Sequence, residues 1–446
     1  MLDTIKRYLR YTSWPIILAM VTLMALGVSA IRVSEQAEGL EGYASKQMMF
    51  ALVALAAFVA ATVVPYAKLG RAAYAMFGAT ILLLVVVLRL PDKHNVHRWI
   101  NVGIVQVQVS EIAKISFIIM LAWYLRYRDN YRNLSGLIVP FILTLLPMIL
   151  VLVEPDLGTS LLFLPTLYFM LFMAGAKLRH LLVILGLGTV LVLAPMPRGV
   201  DAKVFEPQKG KFSTWRLGPL TFYSIDPNIE PSQRPRTSVA YCRYQIGGGR
   251  VYDLQPLSLR LMKDHQIDRV EGWLRQDEPN ISKTIGYQLH QAKVILGAGS
   301  WTGRRGWNNA EGYFNLLPED HTDFILAVVG GQWGLLGCLS LLFLYGVIFV
   351  LGVEIAVITD DPFGRLLAVG VLALLFTQLV INSGMAMGLM PVTGMTLPFV
   401  SYGGSSLVIN CAALGMLVNV GQRRPIRMAP KPFEYNAPRE RPSPLD

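Results

Sequence analysis

The sequence predicts an all-α polytopic membrane protein with ten transmembrane helices and a large extracytoplasmic loop between helices 7 and 8. The first observation behind this prediction is composition: the 446 residues are 53% hydrophobic and 15% charged, with a mean hydropathy of +0.46. A soluble domain carries roughly 25% charged residues. The second observation is a series of ten apolar stretches, and the third is an uneven distribution of lysine and arginine between the segments that join them.

The ten stretches approach the roughly 20 apolar residues that a helix needs to cross the hydrocarbon core. The last three follow a gap of 127 residues. We therefore predict helices 1–7 in residues 1–196, an extracytoplasmic loop in 197–323, helices 8–10 in 324–421 and a disordered, proline-rich tail in 422–446. The stretches are Trp14–Ile31, Met48–Val64, Ala72–Leu88, Ile112–Leu125, Leu134–Val153, Leu157–Ala176, Leu181–Met196, Phe324–Val353, Leu366–Asn382 and Leu407–Val420.

The distribution of basic residues predicts which side of the membrane each segment faces. With the N-terminus inside, the inner segments hold 17 lysines and arginines, whereas the short outer segments hold five. Because short cytoplasmic loops are enriched in these residues, both termini are predicted to be cytoplasmic and the long loop external. The net charge of +11 is then explained mainly by cytoplasmic anchors, so no nucleic-acid partner is expected.

Charged residues at the outer rim are candidate functional residues, because burying a charge is costly unless it is paired or used. Glu111 and Lys114 are three residues apart at the start of helix 4, so they lie on one face. Two interpretations stay open: an ion pair that lets both residues enter the membrane edge, or, together with Arg98, the lining of a polar cavity for an anionic substrate. Trp99 by itself is typical of an interface anchor.

A second acidic cluster, Glu154 and Asp156, stands at the very short connection between helices 5 and 6. Asp156 precedes Leu157 and is placed to cap the sixth helix. This capping role does not exclude a role in a functional site.

A third cluster precedes helix 8, where Asp323 directly adjoins the apolar run. Asp323 has three interpretations: an N-cap, a metal ligand, or a general base facing outward at a partly desolvated rim. The spacing fits no defined metal cage, so no metal ligands are assigned. Nearby acidic, imidazole and basic side chains suit a diphosphate or a charged sugar lipid; they are Glu319, His321, Lys293, Arg304 and Arg305.

The segment between helices 9 and 10 is apolar and rich in glycine and proline. It is too apolar for a free loop and too interrupted for a helix, which predicts a re-entrant segment whose irregular backbone lines protein or a cavity. Ser401 and Tyr402 lie at its end, where helix 10 opens.

Four motifs carry a family resemblance: RWIN…SEIAK, EPDLGTS, LPEDHTDFI and PVTGMTLPFVSYGGSS, in this order along the ten spans. Together they resemble the SEDS (shape, elongation, division, sporulation) family of bacterial cell-wall proteins, over residues 10–196 and about 266–421. The PVTG form resembles the elongation branch more than the division branch, where a PTKG-like form is expected.

This resemblance implies a peptidoglycan glycosyltransferase of the bacterial inner membrane that polymerises lipid II and releases undecaprenyl diphosphate. It implies a class B penicillin-binding transpeptidase as partner, an outward-facing active site and Asp323 as the catalytic residue. The motif matches imply site positions at Arg98, Trp99, Glu111, Lys114, Asp156, Lys293 and Glu319.

The chain departs from the family pattern in three places. Val109 stands where proline is common, and Ala310-Glu311 stands near the usual position of a Thr-Gln element. Residues from about 200 to 265 match no family segment, and their strand-like alternation predicts a small extra lobe.

We expect Asp323 to take the proton of an acceptor sugar hydroxyl as that hydroxyl attacks the donor lipid. Arg98, Lys114, Lys293 and one of Arg304 or Arg305 would meet the charge of the leaving diphosphate, with a divalent cation such as magnesium as an optional aid. The alternatives are a flippase or transporter for the same lipid, the division-specific paralogue, and a scaffold that only recruits a transpeptidase.

Overall fold

A computed structural model of the protein consists of two compact units. The first comprises Met1–Leu178 and Gln291–Asp446, and the second comprises Arg179–His290. The structure describes residues 12–38, 42–89, 99–102, 105–128, 130–154, 156–193, 195–200, 212–217, 220–225, 242–246, 251–256, 264–276, 284–303 and 321–423.

Helices dominate the described residues, and we number them in chain order. The early helices are α1 (Trp14–Glu38), α2 (Tyr43–Val63), α3 (Tyr66–Val87), α4 (Val109–Leu125), α5 (Leu134–Val153), α6 (Leu157–Ala174) and α7 (Leu178–Leu193). The later helices are α8 (Asp264–Leu274), α9 (Tyr287–Ala298), α10 (Ile325–Ile358), α11 (Pro362–Ala386) and α12 (Gly404–Arg423).

Within the described residues, eight helices are long and apolar enough to cross a membrane: α1, α2, α3, α5, α6, α10, α11 and α12. They coincide with eight of the ten predicted stretches and make the chain a multi-pass membrane protein. The two remaining stretches are also helical but shorter: α4 has 17 residues and α7 has 16. Helix α4 is short because its first turn follows directly from a β-hairpin and its last residue adjoins Arg126.

Helix α11 is the central helix of the first unit, with 20 of its 25 residues buried. It packs against α4, α6, α10 and α12. Its contact with α4 and α6 is close at Gly370, where an added Cβ would lie 2.5 Å from Ile118 and 3.0 Å from Met170. A helix buried on most sides can bring residues of several neighbours together, and α11 does so near its C-terminal end.

A kink at Gly334 (φ 66°, ψ −160°) interrupts α10, which the sequence predicts as a single span. The positive φ favours glycine. The kink frees the amides of Leu335 and Leu336, which donate to the carbonyls of Ser300 and Trp301 at 2.9 and 3.1 Å. The chain that follows α9 is thereby bonded to α10, downstream of Asp323.

The second unit contains a five-stranded antiparallel sheet in the order β3-β7-β6-β5-β4. The all-α class is therefore wrong for this segment, although the strand-like alternation had indicated an extra lobe there. Aromatic and β-branched residues, as in Phe212–Leu217 and Leu220–Ile225, favour strands over helices. The strands of this sheet are β3 (Pro195–Val200), β4 (Phe212–Leu217), β5 (Leu220–Ile225), β6 (Cys242–Ile246) and β7 (Val251–Pro256).

The first unit contains a separate antiparallel hairpin. It consists of β1 (Trp99–Val102) and β2 (Val105–Gln108), directly before α4.

Candidate active site

Asp156 is only 6% exposed, and its carboxylate is the centre of a hydrogen-bond network. One carboxylate oxygen accepts from the Thr159 amide at 3.1 Å, which confirms the predicted cap of α6. The other accepts from Gln108 Nε2 at 2.7 Å, Ser110 Oγ at 3.1 Å and Thr159 Oγ1 at 2.9 Å. The carboxylate therefore joins β2, α4 and α6 in addition to capping a helix.

Glu111 and Lys114 form the predicted ion pair in the first turns of α4. Lys114 Nζ lies 2.8 Å from Glu111 Oε2, and the two side chains are 7% exposed for Glu111 and 2% for Lys114. Since Ile118, one turn below Lys114, contacts α11 at Gly370, this charged face of α4 belongs to the interior of the unit. The ion-pair interpretation is confirmed, and the cavity interpretation stays a prediction.

Glu154, at the end of α5, is fully buried. It lies two residues before Asp156 in the chain. Three carboxylates, those of Glu111, Glu154 and Asp156, are thus buried where α4 and α6 begin and α5 ends. Buried carboxylates are costly without a role, so this concentration marks the region as a candidate active site.

The Asp156 network approaches Asp323 through close packing and a buried amide. An added Cβ on Gly158 would lie 2.5 Å from Met395 and 2.8 Å from the carbonyl of Thr393. Asn382 Nδ2 donates to the carbonyl of Met395 at 2.5 Å and to the carbonyl of Asp323 at 2.9 Å. We call this end of the first unit, where α4, α6 and α10 begin and α11 ends, the site end.

Asp323 is the last residue of a turn before α10, of which residues 321–323 are described. The helix begins at Ile325, and its cap position is Phe324, which makes no side-chain cap hydrogen bond. Asp323 therefore lies one residue before the N-cap position. The interpretation of Asp323 as the N-cap residue of α10 is wrong.

Three aromatic rings surround this turn. The His321 ring centroid is 4.7 Å from that of Tyr43 and 5.5 Å from that of Tyr402, and the two tyrosine rings are 5.2 Å apart. The Tyr402 amide also donates to the carbonyl of His321 at 2.9 Å. Burial, together with the neighbouring Tyr43, raises the pKa of Tyr402, so its hydroxyl stays protonated and able to donate.

The segment between α11 and α12 is irregular, as predicted, and its part around Ser401 is buried. Leu397, Val400 and Ser401 are at most 4% exposed. Ser401 Oγ accepts from the Leu397 amide at 2.8 Å, and its carbonyl accepts from Gln47 Nε2 at 3.1 Å. Helix α12 begins at Gly404, so Ser401 and Tyr402 precede it as a turn.

Lys293 lies on α9, half-buried. The chain just beyond it approaches α10 closely, because an added Cβ on Gly299 would lie 1.9 Å from the carbonyl of Gly330. Arg98, Arg304, Arg305 and Glu319 lie outside the described residues, and Trp99 is described only as part of strand β1.

Sequence reasoning missed Gln47, Gln108 and Asn382: Gln108 and Asn382 join motifs to one another, and Gln47 joins α2 to the last motif. Gln47 and Asn382 are polar side chains inside apolar helices, and both are at most 2% exposed. That placement is the signal that could have identified them. No group of three His, Cys, Asp or Glu side chains in the described part of the chain is arranged to hold a metal ion, so we derive no step through a divalent cation.

Comparison with known proteins identifies relatives along nearly the whole chain. Peptidoglycan glycosyltransferase RodA of Treponema pallidum is 28% identical over 438 residues, which cover 92% of this chain and 97% of the relative. Peptidoglycan glycosyltransferase MrdB of Escherichia coli is 30% identical over 366 residues, 82% of each chain. A probable peptidoglycan glycosyltransferase FtsW of Marinobacter nauticus is 28% identical over 394 residues, which cover 86% of this chain and 81% of the relative.

Solved structures share the fold. A chain of a peptidoglycan synthase complex that coordinates polymerization and crosslinking superposes with a TM-score of 0.67 and 26% identity, covering 92% of this chain and 97% of that one. RodA of Thermus thermophilus superposes with a TM-score of 0.58 and 24% identity, covering 93% and 97%.

The family model described as Cell cycle protein, for FtsW, RodA and SpoVE, matches residues 8–215 and 250–425. The unmatched residues between these ranges include strands β5 and β6. Because the match covers most of the chain, this protein belongs to the FtsW, RodA and SpoVE family, the SEDS family that its four motifs resemble.

Proposed function

We propose that this protein is a peptidoglycan glycosyltransferase that polymerises lipid II into glycan strands and releases undecaprenyl diphosphate. The observation that carries the proposal is the site end: buried carboxylates, a buried lysine and Asp323 gather at one end of a mainly apolar helical unit. The curated relatives with matching sequence are named peptidoglycan glycosyltransferases.

In the proposed reaction, the Asp323 carboxylate takes the proton of the 4-hydroxyl on the acceptor's N-acetylglucosamine. That oxygen attacks the anomeric carbon of the donor lipid, the bond from this carbon to the diphosphate oxygen breaks, and the diphosphate leaves with the bonding electron pair. A single displacement inverts the anomeric centre, so no protein nucleophile is needed. A positioned base of this kind contributes a factor of about 10²–10⁴ in rate.

Cations must meet the charge that develops on the leaving diphosphate. Lys114 already has a carboxylate partner in Glu111, and because an ammonium group carries three N–H donors, it can contact a diphosphate without leaving that pair. Lys293 and Arg98, with Arg304 or Arg305, are the other candidates for this role. His321, Ser401, Tyr402, Trp99 and Glu319 are the remaining proposed substrate contacts.

Asp156 and Glu111 are proposed as positioning groups for substrate and base. Asp156 fixes the relative placement of β2, α4 and α6 through four hydrogen bonds. Glu111 holds Lys114 in place. Preorganised charges of this kind cost no rearrangement at the moment of reaction.

The setting of the enzyme follows from the same proposal. Ten spans, with α4 and α7 added to the eight longer ones, leave both termini in the cytoplasm of a bacterial inner membrane and turn the site end outward. A class B penicillin-binding transpeptidase is the proposed partner, which accords with the peptidoglycan synthase complex among the structural neighbours. The PVTG form of the last motif favours the elongation role over the division role.

The test is polymerisation by purified protein, alone and with the transpeptidase, with glycan chains from labelled lipid II resolved on a gel. We expect chains from the native protein and a loss of about 10²–10⁴ in rate for Asp323→Asn. A native rate in a correctly inserted Asp323→Asn variant would reject the assigned base. Movement of labelled lipid II across vesicles without chains, even with the partner present, would favour a flippase, and neither activity would favour a scaffold.

A further inference from the structure

Asn382 lies at the C-terminal end of α11 and is fully buried. Its side-chain nitrogen donates to two backbone carbonyls, those of Asp323 and Met395, at 2.9 and 2.5 Å. These carbonyls belong to the turn before α10 and to the irregular segment before α12. One amide therefore bonds three parts of the site end together.

The chemistry of the two acceptors fixes the orientation of this amide. Carbonyl oxygens only accept hydrogen bonds, so the NH₂ group of Asn382 must face both of them. A flipped amide would place its oxygen against two carbonyl oxygens and leave the donors unused. In the observed orientation Asn382 Oδ1 is buried and has no hydrogen-bond partner among the described residues, so the contacts of this side chain with the site end are those of its NH₂ group.

We propose that Asn382 is a positioning residue for Asp323, an inference that rests on the proposed function of Asp323 as the base. Holding the carbonyl of Asp323 fixes its peptide plane and its Cα, and only two side-chain torsions then separate the Cα from the carboxylate. The neighbouring bond from the Tyr402 amide to the carbonyl of His321 holds a second residue of the same turn. Two residues of the turn are thus bonded to elements that follow it in the chain.

Fixing the Cα matters because the reaction rate falls steeply when the catalytic group moves away from its best position. A displacement of about 1 Å at a reacting group can cost about 10²-fold in rate. Without the Asn382 amide, the carbonyl of Asp323 loses its bond across to α11, so we expect the average position of Asp323 to change.

Asn419 offers a matched control. It is also fully buried, and its side-chain nitrogen donates to the carbonyls of Ala61 and Thr62 at 2.7 and 3.0 Å, and to that of Val64. It lies near the C-terminus of α12, in contact with the C-terminal end of α2 and away from Asp323. Removing this amide tests the general effect of losing buried hydrogen bonds to carbonyls.

The experiment compares Asn382→Ala and Asn419→Ala in the full-length protein with its transpeptidase partner. We expect Asn382→Ala to lower kcat for lipid II polymerisation by about 10–100-fold with KM within about threefold, and Asn419→Ala to leave kcat per folded molecule within about twofold. Asn382→Gln keeps the donors on a longer arm and provides a second variant if the alanine variant does not fold; we expect its kcat to fall about 3–30-fold.

A second readout does not depend on activity. Carbodiimide labelling of carboxylates, followed by mass spectrometry, gives the modification rate of Asp323 relative to that of Asp361. We expect this ratio to change at least threefold in the Asn382 variants and to stay unchanged in Asn419→Ala. An unchanged ratio overturns the positioning role. A changed ratio with native kcat shows that Asp323 is moved but is not the base, which overturns the proposed mechanism and the inference resting on it.

Discussion

The two ends of the first unit both bury polar groups, but they use them differently. At the site end, Glu111, Glu154 and Asp156 are between 0 and 6% exposed. At the opposite end, where α4 ends and α11 begins, Glu354 and Asp360 are exposed and Asp361 is half-buried. Acidic residues are thus buried at one end of the unit and solvated at the other.

The hydrogen bonds at the opposite end serve backbone groups at helix ends. Asp361 caps α11 by accepting from the Gly364 amide at 3.0 Å. Asn419 and Arg423 donate to the last carbonyls of α2, including that of Val63 at 2.9 Å. Helix termini leave such groups unsatisfied, so these bonds need no function beyond stability. At the site end, more carboxylates are buried than helix capping requires. This larger number distinguishes a candidate active site from a well-capped helix end.

The sharpest test of this comparison is the buried ion pair. We expect Glu111→Gln or Lys114→Met alone to lower the free energy of unfolding by about 3–5 kcal/mol, because the remaining buried group loses its partner. The double variant Glu111→Leu with Lys114→Met should recover most of the stability. Polymerisation should stay at least about 10²-fold below native in the double variant.

Thermal unfolding in detergent and the lipid II gel assay measure the two effects separately. Native polymerisation by the stable double variant would mean that the pair serves folding alone. The site end would then differ less from the opposite end than its burial indicates.

The two capping aspartates provide a matched pair with a smaller expected effect. Asp156→Ala should lower the free energy of unfolding by roughly 2–4 kcal/mol, because it removes the acceptor of the buried Ser110 hydroxyl and of the part-buried Gln108 amide. Asp361→Ala should lower it by about 1 kcal/mol, the usual value for a helix N-cap, and should leave polymerisation unchanged. Unfolding midpoints for both variants check this, and equal shifts would contradict the distinction between the two ends.

A third comparison uses glycines. Gly158→Ala should destabilise the protein by about 1–3 kcal/mol through overpacking, because the new Cβ would meet Met395 at 2.5 Å. Gly346, on α10, has no atom within 4 Å of an added Cβ. Gly346→Ala should therefore be neutral or raise stability by up to about 1 kcal/mol. If Gly158→Ala left the stability unchanged, α6 and the irregular segment would have to move apart at little cost to accommodate the added methyl group.

The smallest expected effect concerns Tyr402. Its pKa is raised, so the phenol stays protonated to a higher pH than a free tyrosine, whose pKa is about 10. Tyr402→Phe should therefore leave the shape of the pH–rate profile between about pH 7 and 9 unchanged, whatever its effect on the rate. A new or lost alkaline limb in that range would contradict the direction of the shift.

Local patterns explain which predictions the sequence supported. The Glu111–Lys114 pair and the Asp156 cap join residues three apart, and helix geometry fixes such neighbours. Apolar length located eight spans in the described residues. The predictions that failed depended on more than local spacing: the cap register at Asp323 was set by where α10 begins, and the sheet needed five strands from 195 to 256 to pair.

Composition and short-range spacing were enough to predict a multi-pass membrane protein, the charged residues next to its helices and the family motifs it contains. Three contacts depend instead on the packed fold: Gln108 donates to Asp156, Gln47 to the Ser401 carbonyl, and Asn382 to the Asp323 carbonyl. These partners are separated by 48, 354 and 59 residues. Whether they meet depends on how the helices pack around α11, which no local pattern specifies.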